Sequence, residues 1–145
     1  MTECLPSSLV LHLPTDLAFV RPGRKMIEAL LRAQGWPEDD LEEAALVATE
    51  LIQNAIEHGS RGDGDEVTVV TIRVEEGAVE MEVLDPGTGR DPRELLELDV
   101  TLPVPLDAPR GRGLFLINRL ATRLDRARDD GGGARVFVRL EVDDE

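Results

Sequence analysis

Alternation of apolar and polar residues predicts four β-strands along the chain. The spacing of a strand with one buried face recurs in Leu9–Leu13 (closed by Pro14), Val67–Val74, Ala78–Leu84 and Ala134–Val142. Only Glu75-Glu76-Gly77 separates the second run from the third, and so short a connection predicts an antiparallel hairpin.

The helical period of 3.6 residues recurs in three other segments. They run from a cap at Thr15 or Asp16 to about Gln34, from Pro37 through Leu41–Glu57, and from Gly113 to Leu124. Pro22 and Gly23 lie near the start of the first segment and predict a late or irregular helix start. Gly35 and Gly59 follow the first two segments and predict where these helices end.

The stretch before the third helix predicts a lid. Asp91–Leu98 has the pattern of a short helix, and Thr101–Arg110 contains three prolines and predicts a loop. The order β-α-α-β-β-lid-α-β predicts an α+β fold, a two-layer sandwich of helices on a mixed, mostly antiparallel sheet. Because the sequence shows no repeat or linker, we expect residues 1–145 to form one domain, with Asp143–Glu145 as a frayed acidic tail.

Composition narrows the classes of partner. The 145 residues include 30 Asp and Glu against 16 Lys and Arg, and this net charge of −14 disfavours direct binding to nucleic acid or to an anionic membrane. The sequence has no apolar run near the ~18 residues of a transmembrane helix and no signal peptide, so we expect a cytoplasmic protein. The single cysteine, Cys4, excludes an internal disulfide, and no Cys/His cluster suits zinc.

Arg110–Arg128 is a basic exception in this acidic chain, with six arginines and a single acid, Asp125. The simplest interpretation is a solvated face of the third helix. Alternatively, the glycines of Arg110-Gly111-Arg112-Gly113-Leu114 leave the first N–H groups of that helix accessible to a phosphate. The segment lacks the Lys-Ser/Thr ending of a phosphate loop and the preceding strand of a dinucleotide fingerprint.

The second helix combines an apolar face with a polar one. The apolar positions share one arc and predict core residues: Leu41, Ala44, Ala45, Ala48, Leu51, Ile52, Ala55 and Ile56. The opposite side, which a solvated helix would also show, carries Glu50, Asn54, Glu57 and His58. Leu46 and Val47 lie there too, which indicates a partly covered face. A neutral Asn oxygen can coordinate Mg²⁺, and a Glu can act as a general base. Glu50 and Asn54 could therefore act together on one small ligand.

A second polar motif, Asp85-Pro86-Gly87-Thr88-Gly89, follows directly on an apolar strand. An ordinary tight turn accounts for the proline and the glycines. In a functional interpretation, Asp85 accepts a hydrogen bond from a base amino group, and the glycines let a ligand approach the backbone.

In this order and at these separations, three segments resemble the motifs of the GHKL (Bergerat-fold) ATPases. Glu50–Gly59 resembles their N box, Asp85–Gly89 their first glycine box and Gly111–Leu114 their second. The resemblance spans the whole chain and implies the histidine-kinase-like α+β fold. The small size and short lid resemble the stand-alone anti-sigma-factor serine/threonine kinases of bacterial partner-switching systems.

The resemblance implies a role for each motif residue. Asn54 would coordinate an Mg²⁺ that bridges the phosphates of ATP, and Glu50 would act as general base or orient the attacking hydroxyl. Asp85 would bind the adenine amino group, with Gly87 and Gly89 shaping the base pocket. The phosphates would be lined by Gly111, Arg112, Gly113 and Leu114, under a lid at about Arg90–Arg110.

The function so implied is that of an ATP-dependent protein kinase and anti-sigma factor, which phosphorylates a STAS-type anti-anti-sigma protein. A sigma factor would be the other partner, and the family often forms homodimers. Glu57 is an acid where related sensor kinases often carry a base, and Ala134 replaces a Thr that helps to hold the adenine region. The missing Thr favours an alternative, a catalytically weak ATP-binding module that sequesters a partner without phosphorylating it. A histidine-kinase fragment and an interaction protein without nucleotide are lesser alternatives.

Overall fold

Five strands and three helices make up the computed structural model, which describes residues 7–89, 96–101 and 112–142. The strands are β1 (Ser7–Pro14), β2 (Val67–Glu75), β3 (Ala78–Leu84), β4 (Arg123–Arg128) and β5 (Ala134–Glu141). The helices are α1 (Val20–Ala33), α2 (Glu38–Glu57) and α3 (Arg112–Leu120). The described strands form one sheet in the order β1-β2-β3-β5-β4, in which all neighbours are antiparallel.

One face of the sheet carries the helices and the core. Alternate residues of the central strands are buried there, among them Ile72 of β2, Met81 of β3 and Val138 of β5. The same cluster includes Ile27 of α1 and Ile52 of α2. This arrangement confirms the predicted α+β sandwich of helices on a sheet. Since the described core is almost entirely aliphatic, its stability depends on the apolar area that it removes from water.

The first helix begins irregularly, as its proline and glycine predicted. A short 3₁₀ turn at Leu17–Phe19 precedes α1, and the Asp16 carboxylate caps it by accepting a hydrogen bond from the Ala18 N–H at 2.9 Å. Gly23 is buried, and a Cβ there would come within 3.0 Å of Leu13 Cδ1. Glycine at this position therefore lets α1 pack closely on β1.

The prediction of a third helix through Leu124 is wrong, because α3 ends at Leu120 and Arg123–Arg128 forms the edge strand β4. Leu120 and Leu124 lie four residues apart, which fits a helix, but Arg123–Arg128 also alternates and pairs along β5. The backbone N–H and hydroxyl of Thr122 both donate to the Arg139 carbonyl, at 2.9 and 3.1 Å. The pairing with β5 thus overrides the local helical pattern.

The basic segment therefore does not form a single helix face. Arg123 of β4 lies over the Phe137 ring, with its guanidinium carbon 5.4 Å from the ring centroid. Arg126 donates to the Leu98 carbonyl at 2.7 Å and ties β4 to the short described segment 96–101. Arginines along an edge strand also discourage pairing with a further strand.

Several predictions fall on residues outside the described ranges. These are Cys4, the first part of the helix predicted at Asp91–Leu98, most of the loop Thr101–Arg110 and of the lid, Gly111, and the tail Asp143–Glu145. For the part of the chain that is described, no helix is long and apolar enough to cross a membrane.

Candidate functional site

The polar face of α2 is partly covered. All eight apolar residues that the sequence placed on its core face are buried, whereas Glu50 and Asn54 are half-buried. Of the two apolar residues on the polar side, Val47 is fully buried and Leu46 is 39% exposed. The side chains of Glu50 and Asn54 are therefore partly covered rather than fully exposed.

Glu50 lies against the first turn of α3. A Cβ placed on Gly113 would come within 2.5 Å of Glu50 Oε2, so the carboxylate in this position lies directly against the glycine. Burial raises the pKa of Glu50, and repulsion from Glu57 raises it further. Leu114, the next residue of α3, is 1% exposed and packs in the core. Leu114 can therefore contact a ligand only through its main chain.

Asp85 follows β3 directly and is 9% exposed. Its Oδ1 accepts hydrogen bonds from the backbone N–H groups of Gly87 at 2.9 Å and Ala134 at 3.0 Å. Burial raises the pKa of Asp85, and these two hydrogen bonds oppose the rise. No residue within the described ranges donates to the second oxygen, Oδ2. The carboxylate is thus fixed through one oxygen and has the other available to accept from a ligand.

Two glycines outside the predicted site residues leave space for Asp85. A Cβ on Gly59, at the end of α2, would lie 2.2 Å from Asp85 Oδ2. A Cβ on Gly133, before β5, would lie 2.1 Å from the Asp85 carbonyl oxygen. The sequence predicts Gly59 only as the residue that ends the second helix. The available signal was its position as the last residue of the N-box resemblance.

The turn after Asp85 folds onto the end of α2. The backbone N–H groups of Gly87, Thr88 and Gly89 all point to the Gly59 carbonyl, at 3.1, 3.2 and 3.3 Å. Gly87 has a φ of +75°, a backbone conformation that favours glycine. A Cβ on Gly89 would collide with the His58 carbonyl at 2.3 Å. Gly89 therefore lets the turn approach the end of α2, whereas Gly87 lets it approach the backbone of Gly132 and Gly133.

Ala134, where the family pattern has Thr, holds Asp85 through its backbone. It donates to Asp85 Oδ1 and accepts from the Asp85 N–H at 3.1 Å. The side chain of Ala134 is buried and supplies no hydroxyl. The orientation of Asp85 therefore does not depend on a threonine at this position.

The described residues could coordinate a cation only together with a ligand that supplies further oxygen atoms. They contain no group of three or more His, Cys, Asp or Glu residues that could hold a metal ion. Asn54 is half-buried, and its side-chain amide makes no hydrogen bond to any described residue. A single amide oxygen plus phosphate oxygens is a donor set that Mg²⁺ accepts. Gly111 and the side chain of Arg112, also predicted for the phosphates, lie outside the described part.

Replacing Gly59 by Ala is expected to weaken nucleotide binding by at least about tenfold and to cost about 1–3 kcal/mol of stability, because the new Cβ displaces the Asp85 carboxylate. Calorimetric titration and urea unfolding measure the two effects. Gly131→Ala is the matched control, since its Cβ would meet only the end of the Asp129 side chain, at 3.2 Å. Equal nucleotide affinity in both variants would contradict the close approach of Gly59 to Asp85.

The sequence profile of the histidine kinase-like ATPase domain family matches residues 13–140. The serine-protein kinase RsbW of Listeria monocytogenes is 27% identical over 127 residues, which cover 85% of this chain and 81% of that protein. The serine-protein kinase RsbW of Bacillus cereus is 26% identical over 125 residues, which cover 83% of this chain and 78% of that protein.

Two solved structures share the fold. The RsbU and RsbW domains of Rv1364c from Mycobacterium tuberculosis superpose with a TM-score of 0.69 at 19% identity, over 94% of this chain. This chain spans about a third, 32%, of that longer one. The SiaB–SiaC complex from Pseudomonas aeruginosa superposes with a TM-score of 0.65 at 18% identity, over 91% of this chain and 88% of the matched one.

Proposed function

The chain belongs to the histidine kinase-like ATPase domain family, and from this we propose that it binds ATP and transfers the terminal phosphate to a serine or threonine of a partner protein. Residues 1–145 act as one nucleotide-binding kinase domain. The names of the two RsbW relatives, both serine-protein kinases, support this reaction.

The proposal depends mainly on the arrangement of the three sequence motifs along α2. The end of this helix touches the first glycine box, because Gly59 lies against Asp85. Its middle touches the second glycine box, because Glu50 lies against Gly113. Asn54 lies between these two contacts, one turn of helix from Glu50. A ligand with a base at one end and phosphates at the other fits such a series of groups.

We assign the base to Asp85 and the phosphates to Asn54 and the start of α3. Asp85 Oδ2 accepts a hydrogen bond from the adenine amino group, while Oδ1 stays fixed by the backbone. Asn54 holds Mg²⁺, which neutralises phosphate charge when bound. The N–H groups that open α3 donate to phosphate oxygens.

Glu50 acts as the general base. It takes the proton from the partner's hydroxyl as the hydroxyl oxygen bonds to the terminal phosphorus of ATP, and ADP leaves with the electrons of the broken bond. The pKa of Glu50 is raised toward neutral pH, and a base whose pKa lies nearer the working pH accepts a proton more effectively.

We place the protein among the anti-sigma-factor kinases of partner switching. Its substrate is then a STAS-type anti-anti-sigma protein, its second partner is a sigma factor, and both would be met in the cytoplasm. A homodimer is the assembly that we expect from the family. The likeness to RsbW proteins supports this placement.

Two measurements test the proposal. Calorimetry with ATP or ADP and Mg²⁺ should show binding at a single site, and radiolabelled ATP should label a Ser or Thr on one member of a panel of purified STAS-domain proteins. Binding without labelling of any panel member, but with tight association with one of them, would favour the sequestering module instead. Absence of nucleotide binding would overturn both functions.

A further inference from the structure

The turn Asp85–Gly89 is held by Gly59 and by Ala134, and it has a third attachment on its outer side. The Thr88 hydroxyl donates a hydrogen bond to Glu66 Oε1 at 2.6 Å. The same oxygen lies 3.8 Å from Arg61 Nε. Glu66 belongs to the connection between α2 and β2, and no sequence motif includes it. This hydrogen bond therefore ties the turn to a segment outside the three motifs.

Glu66 projects from a rigid backbone. Its carbonyl accepts from the Thr15 N–H at 3.0 Å and from the Thr15 hydroxyl at 3.3 Å, and its own N–H donates to that hydroxyl at 3.3 Å. Thr15 is fully buried, and its carbonyl accepts from the Gly64 N–H at 3.2 Å. The end of β1 thus fixes the backbone from which the Glu66 carboxylate reaches Thr88.

The inner and outer attachments of the turn are made by different groups, backbone on one side and side chains on the other. On its inner side, backbone groups of Gly59 and Ala134 hold the turn and Asp85, and no side-chain substitution removes them directly. On its outer side, the Thr88–Glu66 hydrogen bond is made by two side chains. A carboxylate acceptor makes this bond stronger than a neutral one. A side-chain substitution can therefore release the turn directly only on its outer side, at this exposed hydrogen bond.

We propose that Glu66 is a positioning residue for base recognition, which acts through the Thr88 hydroxyl on the turn that carries Asp85. The proposal rests on the proposed function, since it takes the ligand of Asp85 to be adenine. Glu66 does not touch the base. It restricts the turn to the conformation in which Asp85 Oδ2 meets the amino group of adenine.

The test compares ATP with inosine triphosphate, which has an oxygen in place of the amino group. Thr88→Val and Glu66→Ala are each expected to reduce the preference for ATP by about three- to tenfold, and to change the affinity for inosine triphosphate little. Thr88→Ser keeps the hydroxyl and should restore the preference. The double variant should resemble the weaker-binding single variant, because both substitutions remove one hydrogen bond.

Arg61→Ala is the matched control, because the Arg61 side chain is 66% exposed and lies near the same Glu66 carboxylate but makes no hydrogen bond to Thr88. It should keep nearly the full preference for ATP, and thermal unfolding confirms that each variant is folded.

The possible results separate the two proposals. A wild-type protein that does not bind ATP would overturn the proposed function itself. If the wild type binds ATP, three results overturn the role of Glu66: no wild-type preference over inosine triphosphate, an unchanged preference in Thr88→Val, or equal losses for both nucleotides.

Discussion

Replacing Glu50 by Gln is expected to slow phosphoryl transfer by about 10²- to 10⁴-fold while ATP binds as before. Glutamine has nearly the same shape, so it should fit beside Gly113 without the collision that a larger group would cause. The carboxylate of Glu50 makes no hydrogen bond to any residue in the described ranges, so the substitution leaves no described donor unpaired. What it removes is the group that accepts the proton of the attacking hydroxyl.

The pH dependence of transfer offers a second measurement on the same variant. Because burial and Glu57 raise the pKa of Glu50, the wild-type rate should fall with decreasing pH at a higher pH than an ordinary Glu would give. The residual activity of Glu50→Gln should lack this acid limb. The raised pKa also means that the folded state disfavours the charged form. The stability that the protonated Glu50 carboxyl contributes is therefore lost as the pH rises from the pKa of the unfolded chain through that of the folded protein. For this reason, Glu50→Gln should not destabilise the protein at neutral pH.

Glu57→Gln is the control for Glu50→Gln. Glu57 is an exposed acid on the same helix, and its removal takes away the repulsion that raises the pKa of Glu50. This variant should retain transfer, with its acid limb moved to lower pH. Transfer at the wild-type rate in Glu50→Gln, with ATP bound, would show that Glu50 is not the base.

Local periodicity predicted the elements whose pattern admits one interpretation. The run Leu41–Glu57 places its apolar residues on one arc, and the hairpin of β2 and β3 has a connection too short for anything but an antiparallel turn. Arg123–Arg128 fits a helix and a strand equally, and its state is decided by pairing with β5. No local pattern contains that information, because β5 comes later in the chain.

The candidate site shows the same limit. The motif residues Glu50, Asn54 and Asp85 were named from the sequence, because their types and separations resemble a family pattern. Gly59 and Glu66 act through contacts with residues about 20 positions or more away, Asp85 and Thr88. Such contacts become visible only when the elements are packed, since a glycine that ends a helix and one that makes room for a carboxylate look alike in the sequence.

Replacing Asp85 by Asn is expected to weaken ATP binding by about 10²-fold or more. The variant loses the hydrogen bond from adenine to a buried carboxylate, and the amide NH₂ group then faces the adenine amino group, so that two donors oppose each other. The two backbone N–H groups that point to Oδ1 determine how the amide lies, because they require an oxygen there. The amide NH₂ group must then take the place of Oδ2, where it meets the donating amino group of adenine.

The fold should tolerate Asp85→Asn, and this makes the binding result decisive. Because burial raises the pKa of Asp85, the folded state disfavours the ionised carboxylate, and a neutral amide removes that penalty above the folded pKa. Asp125→Asn, at an exposed position on β4, is the control and should bind ATP normally. Inosine triphosphate should lose much less affinity than ATP in Asp85→Asn, because the exocyclic oxygen of its base accepts where the adenine amino group donates. Unchanged ATP affinity in a folded Asp85→Asn variant would exclude Asp85 from base recognition.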